Sequence, residues 1–217
     1  MYLLIDNLNA MIVLGAVLLM LLFLRQRMVE VNVEQLATYT VKKQAVDLAT
    51  WLEDDLLTVG ENMNLTEKRF EDPKQSGLNT TEFTFYRDSV DTSAPAGTAP
   101  IRIATRYTLA PAGTRTLQGE SISVYQLIRE TRENSGSWKE DGRTAPLLSY
   151  FRIDMLNGDV LPISKDVVSG KEVSQLAIEK PDTLRNTRVR FTMVTPIENE
   201  RTTLRKYYYG STLMLPN

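Results

Sequence analysis

The sequence predicts an α+β chain: one long N-terminal helix, half of it suited to a membrane, followed by an antiparallel β-sheet domain. Three observations predict it. From Ala10 to Leu24, fifteen consecutive residues (AMIVLGAVLLMLLFL) carry no charge and no polar side chain. From Val41 the pattern turns amphipathic, with Val41, Ala45, Leu48, Leu52 and Val59 at helical spacing and Lys42, Asp47, Glu53 and Asp54 on the other faces. Beyond Gly60 the period of the apolar residues changes from about 3.6 to 2, the mark of strands.

The helix comes first. Fifteen residues cover about 22 Å, short of a hydrocarbon core of about 30 Å. Tyr2 to Leu8 supply the missing length and place Asp6, Asn7 and Asn9 at one interface. Met1 to Asn9 holds no Lys or Arg, and RQRM follows the apolar run where a cleaved signal would have an A-x-A site, so an uncleaved anchor is expected. Three segments result: a membrane-anchoring helix over 1–28, its amphipathic continuation over 29–60, and a β-sheet domain over 61–217. Gly60 and Asn62 are the stop signals. Arg25, Arg27, Lys42 and Lys43 all follow the span, and a literal positive-inside tally puts the large domain in the cytoplasm.

The strands follow in order. A polar connection with Pro73 and Gly77 leads to Glu82–Arg87 (EFTFYR), then a Pro/Gly/Ser/Thr/Ala loop over 93–100. Ile101–Leu109 and Ser121–Glu130 read as strands joined by a long turn across Ala110–Glu120. Pro146–Leu156 meets Val160–Ile163 across Asn157-Gly158-Asp159, where Asn-Gly is a strong hairpin signal. After a turn at Pro181–Arg185, Asn186–Thr195 and Arg205–Leu215 form a last hairpin bridged by Pro196–Thr203. The sheet therefore has about four to seven strands.

Composition narrows the chemistry. With 25 basic and 27 acidic residues among 217, no strongly basic face is implied and nucleic acid is not an expected partner. Cysteine is absent, which removes disulfides, thiolate nucleophiles and zinc–sulfur sites; histidine is absent too, and with it the Ser-His-Asp triad and an imidazole base. No phosphate loop and no HExxH occur, so no catalytic residue, metal ligand, cofactor or small-molecule substrate is expected. Glu53-Asp54-Asp55 fan out around a helix and read as a solvated face. Asp154, Asn157, Gly158 and Asp159 hint at a calcium loop but lack its closing glutamate, and the tight turn explains them. Tyr207–Tyr209 and Trp138 read as strand aromatics divided between core and surface. Asn64-Leu-Thr66 and Asn79-Thr-Thr81 are formal glycosylation sequons.

A long half-apolar helix feeding an antiparallel sheet resembles the plan of type IV pilins and of the pseudopilins of type II secretion. Lys43–Gly60 (KQAVDLATWLEDDLLTVG) is similar to the minor-pilin stretch in which an Ala-Leu-rich turn leads into "L-x-R-D-L-R-x-A-G". YQLIRE, SYFRIDMLNGD, NTRVRFTMVTP and YYYGSTLMLPN then come in the order seen in J-type minor pseudopilins and W-type minor pilins. The family's mature chain opens on an aromatic residue with a carboxylate four residues later. Tyr2-Leu3-Leu4-Ile5-Asp6 has that spacing, with Asp in place of the usual Glu. No basic leader ending in Gly precedes Tyr2, and Asn7 and Asn9 interrupt a stretch that is normally apolar, so the expectation is either a pilin-like subunit inserted without leader processing or another envelope machine built on the same plan.

The resemblance implies a pilin-like fold and a non-enzymatic, membrane-anchored structural subunit of a pilus-like or secretion-type envelope assembly. Its partners would be membrane lipid and other pilin-like subunits, or further copies of itself. It further implies a bacterial inner-membrane location, with one span and the C-terminal domain periplasmic or extracellular, against the positive-inside tally. In the family the early carboxylate neutralises a neighbour's terminal amine, a role that would fall to Asp6 beside Tyr2; an unpaired charge in hydrocarbon costs several kcal/mol. Gly15 and Ala16 are the small residues expected to allow close helix approach. The alternative is a signal-anchored sensory or ligand-binding domain at the cell surface, with the helix as stalk and a pocket in the sheet domain.

Overall fold

The computed structural model describes residues 2–64, 66–89, 99–117, 120–156, 162–163, 172–179, 186–195 and 206–214. One helix, α1, runs over Tyr2–Leu57. The chain divides into two compact units, Met1–Thr40 and Val41–Asn217. The described residues of the first are all helical. Its apolar side chains stand in solvent: Met11, Ile12, Leu14, Leu19, Phe23 and Leu24 are all more than half exposed. The helix is long and apolar enough to cross a membrane.

In the second unit the end of α1 is the core helix. Val41, Leu48, Leu52, Leu56 and Val59, with half-buried Ala45 between the first two, recur every three or four residues, and these five are fully buried or nearly so. The sequence pattern found four of these five; Leu56 was hidden among Glu53, Asp54 and Asp55. The helix stops as the sequence predicts. Gly60 and Asn62 both take left-handed backbone, at φ 77° and 58°, and the Thr58 hydroxyl donates to the Asp55 carbonyl at 2.7 Å. Gly60 is also sterically required, since a Cβ there would run into the Arg69 side chain.

Among the described residues nine strands form one antiparallel sheet: β1 (Lys74–Ser76), β2 (Asn79–Ser89), β3 (Ile101–Leu117), β4 (Glu120–Glu133), β5 (Lys139–Arg143), β6 (Leu148–Leu156), β7 (Pro162–Ile163), β8 (Asn186–Val194) and β9 (Lys206–Met214). The main path is β1-β2-β3-β4-β6-β8-β9, with β5 on β4 and β7 on β6. Seven of these strands are those of the sequence reading. The two additions, β1 and β5, are short and polar and carry no apolar alternation to find. A short helix, α2 (Val173–Glu179), was also unforeseen; Asp72 caps it, accepting from the Ser174 amide at 3.0 Å and hydroxyl at 2.7 Å.

The long turn expected across Ala110–Glu120 is overturned. β3 and β4 stay paired out to Leu117 and Glu120, with one register shift between Pro111 and Gly113. Pro111, Ala112 and Gly113 look like turn residues, but they form a bulge inside a strand, with Gly113 at φ 116°. The expected turns at 157–159, 181–185 and 196–203 lie outside the described residues, although Met155↔Ile163 and Leu156↔Pro162 pair across the first of them.

One face of the sheet carries Phe83, Phe85, Tyr107, Leu127, Phe151, Ile153, Val189 and Phe191, all buried in a single cluster with the α1 residues. Among the described residues β4 and β6 pair at one position, Tyr125↔Leu148, and then part. Side chains at the start of β2 cap the edge of β6 that this leaves. Asn79 Oδ1 accepts from the Phe151 amide at 3.1 Å and Thr80 Oγ1 from the Ile153 amide at 3.0 Å. The sequon asparagine at 79 is thus structural.

Candidate assembly surface

The sequence-predicted assembly residues all lie in the first unit. Tyr2 is in the first turn of α1, and Asp6, Gly15 and Ala16 are exposed along it. At about 100° per residue, Tyr2 and Asp6 sit some 40° apart, on one face, and Ala16 about 80° from Asp6. Gly15 is on the opposite side, about 180° from Asp6. The small residues therefore do not form one patch with the carboxylate. No atom lies within 4 Å of where a Cβ on Gly15 would be, so the position is open to a neighbouring helix. Past the apolar run, Glu30 accepts from Gln26 at 3.3 Å and pairs with Arg27 at 3.4 Å, both exposed-helix contacts.

The second unit holds its charges in pairs. Asp55 of α1 takes a two-pronged ion pair from Arg129 of β4, Nε to Oδ2 at 2.7 Å and Nη2 to Oδ1 at 3.0 Å. The Tyr107 hydroxyl donates to the same carboxylate, and Arg129 also reaches Asp141. Burial, then the Asp55 charge, push the Tyr107 hydroxyl well above its ordinary pKa. Tyr209 donates to Glu53, two residues before Asp55. The acidic run 53–55 is thus not one solvated face: only Asp54 is exposed, while Glu53 and Asp55 tie the helix to the sheet.

On the opposite face of β6 and β8, three arginines converge on one carboxylate. Asp154 is buried, its side chain 2% exposed, and pairs with Arg152 at 2.7 Å, Arg190 at 2.6 Å and Arg188 at 3.4 Å. Burial alone would raise its pKa. Hydrogen bonds from Arg152 and Arg190, with their charges, outweigh that and hold it below the ordinary carboxylate value. This carboxylate is committed to guanidinium, which removes it from any calcium loop; Asn157 and Asp159 lie outside the described residues. A similar knot joins Arg102 to Asp88 and Glu67. Beside it the Tyr86 hydroxyl is pushed up to about 12 by burial and by its hydrogen bond to Glu71.

Trp138 packs against two guanidiniums, Arg106 at 4.2 Å and Arg132 at 4.5 Å from the ring centre. Tyr209 stacks on Phe191 at 4.8 Å while Tyr208 is 78% exposed, the division between core and surface that alternation predicts. An open groove of about 670 Å³ on the outer sheet face is lined by residues including Tyr150, Arg190, Thr192, Lys206 and Tyr208. Among the described residues no three Asp or Glu side chains gather to hold a metal ion. Sequence reasoning missed both arginine knots. The signal of the Asp154 knot is present, since Arg188 and Arg190, and Arg152 and Asp154, are spaced by two and so share a face.

No family model matches the chain, and no curated protein does. Among solved structures it is similar to a type IV-like pilin, TTHA1219 from Thermus thermophilus, at 9% identity and a TM-score of 0.49, over 81% of this chain and 97% of that one.

Proposed function

We propose that this chain is a membrane-anchored structural subunit of a pilus-like or secretion-type envelope assembly in a bacterial inner membrane, acting by helix bundling and lateral contacts rather than by catalysis. The observation that carries this reading is α1. One helix supplies an apolar rod whose side chains are exposed over Ile5–Leu24 and the buried spine of a sheet domain from Val41 on. Such a rod has to be covered by lipid, by other helices, or by both. Within lipid the hydrophobic drive between helices vanishes, so packing at small residues such as Gly15 and Ala16 and polar pairing at Asp6 would select partners. The sequence motifs shared with minor pilins and pseudopilins point the same way and favour an outward-facing C-terminal domain.

The test is to purify the full-length protein from its native membrane in mild detergent and image it with whatever accompanies it. A filament or multi-subunit complex with bundled N-terminal helices is the expected result. A monomer that binds a small ligand in the groove beside Tyr208 and Arg190 would refute it and install the sensory-domain alternative.

A further inference from the structure

Beyond Arg25 the exposed face of α1 is more regular than a lipid anchor requires. Stepping alternately by four and three residues from Val29 gives Val33, Leu36 and Thr40; stepping back gives Gln26, Leu22, Leu19, Gly15, Ile12, Leu8 and Ile5. From Ile5 to Leu36 this is a heptad seam, aliphatic except at Gly15 and Gln26. Ile5, Ile12, Leu19, Gln26 and Val33 take the first core position, a, and Leu8, Gly15, Leu22, Val29 and Leu36 the second, d. Within the apolar run any stripe would be apolar. Over 25–40 the charged Arg25, Arg27, Glu30 and Glu34 all fall off the seam, as do the apolar Met28, Val31, Ala37 and Tyr39. Val29, Val33 and Leu36 are 56%, 44% and 67% exposed.

Lipid cannot cover this stretch. If Arg25 marks the headgroup level, Leu36 lies eleven residues on, about 16 Å along the helix. The interfacial layer adds only about 6 Å beyond the hydrocarbon on each side. Three features of the seam specify its occupant. β-branched residues dominate a and leucine dominates d, the combination that favours two parallel strands. Between Ile5 and Leu36, Gln26 is the one polar residue at an a position, a device that fixes register. In a parallel pair the residue flanking one core layer meets the residue five further on in the partner helix; Arg25 is so placed against Glu30 of the second copy, with opposite charge. A membrane anchor supplies the parallel orientation.

We infer that α1 pairs with α1 of a second copy of this chain, parallel and in register, along the seam from Ile5 to Leu36. This deepens the assembly reading by naming a partner and a register. In a bundle whose helices are staggered along the axis, identical residues would not face one another; here they do.

Because the chain has no cysteine, single introduced cysteines report the geometry directly. Full-length Val29→Cys and Val31→Cys proteins, in membranes from the native host, are oxidised and run without reductant. A disulfide closes only when the two Cα atoms lie within about 7 Å. Val29→Cys is expected to give a covalent dimer, and Val31→Cys, on the outer side of the helix, almost none. Arg25→Glu should weaken self-association in detergent roughly fivefold through its two symmetry-related pairs, and Glu30→Arg added to it should restore it. Equal cross-linking at both positions, or none at Val29→Cys, overturns the pairing. A large assembly without the Val29→Cys cross-link removes this register and leaves the assembly reading standing. A lone dimer with the cross-link does the reverse.

Discussion

Replacing Arg129 by methionine tests what holds the end of α1 against the sheet. The Asp55–Arg129 pair is two-pronged at 2.7 and 3.0 Å, and its side chains are 15% and 12% exposed. Removing one partner of a buried pair costs about 3–5 kcal/mol, because the other charge is left without compensation. Residual exposure and the Tyr107 hydroxyl soften that here, so about 3 kcal/mol is expected for Arg129→Met. The assay is urea unfolding of the full-length protein in detergent, followed by tryptophan fluorescence. Trp51 is a good reporter, with its ring 5.9 Å from that of Tyr107 in an edge-on contact. Asp55→Leu and the double variant complete a cycle, with a coupling of about 2 kcal/mol expected. A loss for Arg129→Met below about 1 kcal/mol, the worth of an exposed pair, would refute the argument that this contact is buried and structural.

Leu52→Ala should cost about 3 kcal/mol by opening a cavity at a fully buried site, while Leu57→Ala, at a half-exposed neighbour, should stay within about 0.5 kcal/mol; equal losses would mean that the helix presents a different face. Asp154→Asn should destabilise by about 2–4 kcal/mol at neutral pH. The folded pKa of Asp154 is depressed, so its contribution is fully present above the unfolded value near 3.8 and is lost as pH falls through the folded value. Acid unfolding of the variant should therefore be shallower below pH 3.8 than that of the parent, and parallel curves would exclude the linkage. Gly60→Ala should cost more than about 1 kcal/mol, from strain at φ 77° and from the clash with Arg69; thermal unfolding reads it.

The long helix and its stop at Gly60 were legible because each depends on local pattern: an uninterrupted apolar run, a 3.6-residue period, residues that accept left-handed backbone. The seven longer-signalled strands were legible for the same reason. β1 and β5 were not, because polar segments become strands only when an edge is there to pair with. The bulge at Pro111–Gly113 reads as a turn in isolation, and only pairing of the flanks makes it strand. Asp55 looked solvated beside Glu53 and Asp54, since the arginine that neutralises it is 74 positions away. The assembly residues Tyr2, Asp6, Gly15 and Ala16 came from spacing and resemblance, and the helix distributes them over more than one face.

The sequence alone determined the class of this protein: an apolar helical rod that continues as the spine of an antiparallel sheet domain. The hydrophobic effect acts through periodicity, and periodicity is written locally. The tertiary structure decided which charges are buried and with whom, and which strand edges are closed by side chains such as Asn79 and Thr80. Those outcomes depend on residues far apart in the chain meeting in space, at a cost in desolvation that only the finished neighbourhood can offset.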